Sequence, residues 1–106
     1  MSDEYLRKLV SRKGRLILQI NDQQNRLSKE RVRTLRREVA ELEGMVAQEL
    51  LHAGDKAKAA GSLVNQAAYL VDAGDLDAAR RVIDATKELT SDPVTINFLD
   101  TLMSVA

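Results

Sequence analysis

Imidazole and thiol chemistry is nearly absent from this sequence of 106 residues. It holds one histidine, His52, and no cysteine or tryptophan, so a thiol nucleophile or a His/Cys metal cluster cannot be assembled within one chain. Glu49 stands three residues before His52, the spacing of half of a di-metal bundle site. Such a site needs a second Glu-x-x-His and further carboxylates of the kind offered by Glu38, Glu41 and Glu43. The same histidine suits the last turn of a helix, where an imidazole faces the negative end of the dipole. Serines 2, 11, 28, 62, 91 and 104 read as helix-end residues, and none lies in a Gly-x-Ser-x-Gly elbow. Glycines 44, 54, 61 and 74 build no phosphate loop. The expectation is a protein that is not an enzyme and needs no cofactor and no metal.

The densest chemical signal is basic. Arg26, Lys29, Arg31, Arg33, Arg36 and Arg37 are set against Glu30 alone. Arginine grips carboxylate or phosphate with two parallel hydrogen bonds, so Arg31, Arg33, Arg36 and Arg37 are candidate contacts to an acidic partner or to phosphates. No aromatic residue interleaves with them, which leaves no platform for stacking bases. Solvation or contact with an acidic protein is the leading expectation for this segment, and nucleic-acid binding is the alternative.

The elements that position these residues are helices. One proline and five glycines punctuate the chain, and no stretch alternates as a strand would. Leu6, Val10, Lys13, Ile17, Ile20, Gln24 and Leu27 recur at heptad spacing, as do Val32, Leu35, Val39, Leu42, Val46 and Glu49. The two phases do not join. The second resumes after Ser28, an N-cap type, with Glu30 in the first turn. Two arrangements satisfy this pattern: an antiparallel hairpin turning near residues 25 to 28, or one bent helix of nearly 50 residues. Charge favours the hairpin. Residues 7 to 15 carry five bases and no acid, and residues 38 to 49 carry four acids and no base. Folding back sets Leu6 against Glu49, Leu9 against Val46, Lys13 against Leu42, Ile17 against Val39 and Ile20 against Leu35, flanked by opposite charges.

The second half is alanine-rich and shorter in period. Leu50-Leu51-His52-Ala53-Gly54-Asp55 is echoed twenty residues later by Leu70-Val71-Asp72-Ala73-Gly74-Asp75. In each copy the glycine can end one helix in the left-handed conformation and the aspartate can cap the next. The repeat predicts helices over about 56–73 and 76–89, with a last one opened by Asp92 and carrying Pro93 at its first position. The whole is an all-α chain of about five helices, divided as a hairpin over 1–53 and a short-helix unit over 54–106.

With Gly74-Asp75 as the turn, Ala67 as a small residue in the first helix, Ala79 early in the second, Thr86 late in it and large apolar residues at Leu63, Leu70 and Ile83, residues 63–93 resemble a tetratricopeptide repeat. Leu63 and Leu70 replace the family's usual aromatic residues, Pro93 arrives two residues late, and one repeat is visible. The resemblance implies paired antiparallel helices that need neighbours to bury their faces. It also implies a role in binding a partner helix or segment, as an adaptor, co-chaperone or assembly subunit. Leu63, Asn65, Gln66, Tyr69 and Leu70 on the first short helix are the candidate partner contacts. The heptad stripes further suggest a homo-oligomer. The absence of a long apolar run or signal-like start suggests no membrane partner and a cytoplasmic location.

Overall fold

The two heptad stripes meet because the chain reverses between them. The computed structural model describes residues 2–23 and 26–104, in which α1 (Ser2–Gln23) and α2 (Lys29–His52) lie side by side. Gln24 and part of the expected turn fall outside the described residues. From Arg26 the chain is held by N–H bonds of Arg26 and Leu27 to the Gln23 carbonyl. Ser28 then caps α2 by accepting the Arg31 N–H at 3.1 Å, while Leu27 packs with Val32 in one apolar cluster and so fixes the angle at which the chain enters the helix. Ile20, Val32, Leu35 and Val39 fill the seam near the turn, and Leu9, Leu42 and Val46 fill it at the far end. The long bent helix is thereby excluded.

Two copies of one turn carry the chain onward, through α3 (Lys56–Asp72) to α4 (Leu76–Leu89). In the first, the Asp55 N–H bonds the Leu50 carbonyl and the Gly54 N–H that of Leu51; in the second, Asp75 and Gly74 repeat this with Leu70 and Val71. These are the paired bonds of a Schellman ending. The glycines sit at φ of 82° and 81°, a region costly to any residue with a Cβ. Asp55 then caps α3 through the Lys58 N–H, and Asp75 caps α4 through the Ala78 N–H. A Cβ at either glycine would meet nothing within 4 Å. Gly54→Ala and Gly74→Ala are therefore each expected to cost about 1–2 kcal/mol of backbone strain, read as a shift in the urea midpoint. A change below a few tenths would contradict the assignment of the left-handed turn.

Helix α5 (Pro93–Ser104) follows Asp92. The Asp92 carboxylate accepts both the N–H and the hydroxyl of Thr95, at 3.2 and 2.7 Å. Those bonds, the hydroxyl first, hold its carboxyl below the ordinary aspartate value. Among the described residues there are five helices and no strand, and none of the helices is long and apolar enough to cross a membrane.

Each helix packs on its neighbours in sequence, and α3 also touches α5. Helix α2 is the shared wall. One stripe, Val32, Leu35, Val39, Leu42 and Val46, faces α1. A second side, with buried Ala40, Glu43 and Ala47, turns toward α3, where Gly44 admits Gln66 so closely that an added Cβ would lie 2.6 Å from its Nε2. Beyond α3, Ala67, Ile83 and Leu99 form the last cluster. The large apolar side chains left exposed concentrate on the helices at the two ends of the row: Tyr5, Val10 and Leu18 on α1, Val94 and Phe98 on α5.

The charge pattern acts differently from the expected zipper. Among the described residues a single ion pair crosses the hairpin, Lys13 to Glu43 at 2.7 Å, and the Glu43 side chain is only 2% exposed. Lys8 instead pairs with Glu4 within α1. Glu43 is not a solvated flank but part of the interior, because α3 covers the side of α2 from which it projects.

Candidate functional site

The α-helical spacing that places Glu30, Arg33, Thr34, Arg37, Ala40 and Glu41 on one side of α2 also creates a continuous surface of mixed chemistry. At the hairpin tip, Ser28, Glu30, Arg31, Arg33, Thr34 and Arg37 line a shallow concavity of about 410 Å³. Farther along α2 a cleft of about 290 Å³ opens between α2 and α4, over α3. Ala40, Leu70, Ala78 and Val82 give it an apolar floor, Gln66 adds an amide, and Arg37, Glu41, Asp75 and Arg81 stand around it. Arg37 lines both hollows. Tip and cleft are thus one track along α2, polar and basic at one end and apolar at the other.

The packing beneath explains the shape of the track. Ala40, Leu70 and Ala79 meet where α2, α3 and α4 converge, and the small Ala79 lets α4 sit close to α3. The Asp75 carboxylate is engaged by the Ala78 N–H at 3.4 Å, which leaves Glu41 as the free carboxylate of the cleft. All four ion pairs among the described residues use lysine: Lys8, Lys13, Lys58 and Lys87. None of the ten arginines in the chain has a carboxylate partner there. An exposed, unpaired guanidinium keeps its whole donor set for an incoming anion.

The five contacts expected on α3 do not form one surface. Leu63 is buried in the core and lines no part of the cleft, and Asn65 is exposed away from it. Tyr69 is half-buried between the hairpin cluster and the Ala40–Leu70–Ala79 cluster. Burial raises its pKa most, with the Glu43 and Asp72 carboxylates adding to the rise and Arg36 opposing it. Gln66 and Leu70 alone reach the cleft. Of the four arginines singled out at the tip, Arg31, Arg33 and Arg37 line the track, whereas Arg36 is partly covered beside Tyr69. Comparison with known proteins adds no match. No family model, no curated protein and no solved structure is significantly similar to this chain.

Arg81, Ala78, Val82, Ala40 and Glu41 belong to the site and were not legible as a group, since they come from two helices that are not consecutive. The signal available in the sequence was the pairing of small residues with the repeated turn, which forces α4 back along α3. His52 lies exposed at the end of α2. No group of three or more potential metal donors gathers among the described residues.

Proposed function

We propose that the protein is a non-enzymatic protein–protein interaction module, an adaptor, co-chaperone or assembly subunit, that takes a partner helix or segment into the cleft between α2 and α4. The observation that carries this reading is a hollow between arginine-bearing walls in which Ala78 and Val82 stay partly exposed above buried Ala40 and Leu70, an arrangement in which a partner segment gains both burial and orientation. The tetratricopeptide-like resemblance supports it: Ala67, Ala79 and Thr86, which hold that pattern's small positions, are all fully buried.

Affinity capture from native extract, at low and high salt, tests the reading with Ala78→Arg as control. Ala78 is half-buried at the cleft wall, so an arginine there fills the hollow without entering the core. A specific partner is expected with the native chain at both salt levels and none with the variant, at unchanged helicity. A partner that the variant retains would place recognition elsewhere. The second reading, nucleic-acid binding through the hairpin tip, is favoured by the unpaired arginines alone and requires capture that collapses as salt rises.

A further inference from the structure

We infer that the partner segment is acidic, with an apolar stripe flanked by carboxylates, and that Arg37 and Arg81 are its charge-reading residues; this rests on the cleft being the binding site. The arginines on the track are exposed and have no internal partner among the described residues. Arg37 and Arg81 stand on different helices and reach the same cleft, so a carboxylate between them is approached from two sides. Bidentate arginine–carboxylate pairs are among the stronger charge-assisted bonds, and their planar geometry selects for the anion.

The same track argues against a uniform polyanion. Its inner end is apolar and carries the carboxylates of Glu41 and Asp75, which would repel a phosphate backbone laid along its full length. A segment that lays an apolar stripe over Leu70 and Val82 and turns its carboxylates toward Arg37 and Arg81 complements the cleft.

Fluorescence anisotropy on the full chain tests this with three labelled probes: a short helical peptide with a leucine stripe flanked by glutamates, the same peptide with lysine for glutamate, and a single-stranded DNA oligonucleotide. The glutamate peptide is expected to bind at least about tenfold tighter than the lysine peptide, and to weaken at least about tenfold in Arg37→Gln/Arg81→Gln, the scale of lost charge-assisted bonds. Both substitutions are at exposed positions, and a thermal melt confirms that the double variant folds. Equal binding of both peptides, abolished by Ala78→Arg, would overturn the acidic assignment and keep the cleft. Binding of the glutamate peptide unaffected by the arginine changes would overturn it as well. Absence of binding by either peptide, or an oligonucleotide that displaces the glutamate peptide and is lost in the double variant, would overturn both readings.

Discussion

Replacing Lys13 by alanine is expected to destabilise the fold by about 3–5 kcal/mol, the scale for removing one partner of a buried ion pair. Glu43 has its carboxylate 2.7 Å from the Lys13 ammonium and almost no access to water. Without the lysine, the carboxylate must stay unpaired in the interior or force α1 off α2, and both outcomes are costly. The converse change, Glu43→Ala, leaves Lys13 with a 21% exposed side chain that can carry its charge outward along its flexible stem. Its electrostatic cost is therefore the smaller of the two. Lys13→Met with Glu43→Leu removes both charges and is expected to be close to neutral, or stabilising by about 1–4 kcal/mol. Urea titration of the three variants gives the order directly. A loss below about 1 kcal/mol for Lys13→Ala, the level of an exposed pair, would show that the carboxylate is not desolvated. The pair also fixes register. A slip of one heptad would set Lys13 against Arg36 or Leu50 and leave Glu43 unpaired, an error that two apolar clusters alone would tolerate.

The second large effect is expected from Leu99→Ala, at about 2–5 kcal/mol. Leu99 is fully buried, the one side chain of α5 that is. It joins α5 to Ala67 of α3 and Ile83 of α4, with Leu102 and Met103 at the edge of that cluster. Truncation leaves a cavity at the only deep anchor of this helix, so the loss should be local first. Hydrogen exchange is expected to show α5 amides losing protection while α2 and α3 keep theirs. Uniform loss along the whole chain would contradict this local anchoring. Phe98→Ala, at the neighbouring but exposed position, serves as the control and should stay within about 0.5 kcal/mol.

Much of the fold was legible because its signals are local. The Gly-Asp pairs at 54–55 and 74–75 dictate their turns through backbone conformation and capping, which involve few residues and little tertiary context. The hairpin was legible because a phase break and the Ser28 cap coincide. Glu43 was not. A heptad reading assigns each helix one buried stripe, and α2 has two covered sides because it lies between α1 and α3. The same physical cause misplaced Leu63 and the basic and acidic blocks. Periodicity shows which side of a helix is apolar, but only packing shows how many sides are covered. Half of the candidate site was visible as arginines on α2; the other half, on α4, depends on the distance to which Ala40 and Ala78 let the helices approach.

The row of helices, each resting mainly on the one before and the one after it in sequence, also governs how this chain comes to be folded. Contacts between chain neighbours close short loops, and helical proteins of such local topology fold in about microseconds to milliseconds. Assembly can begin at either Schellman turn and grow outward one helix at a time. The last pieces to lock and the first to open are then α1 and α5, while the walls of the cleft, α2 and α4, are braced by α3 from the start. The candidate site is thus built on the part of the molecule expected to form earliest and open last.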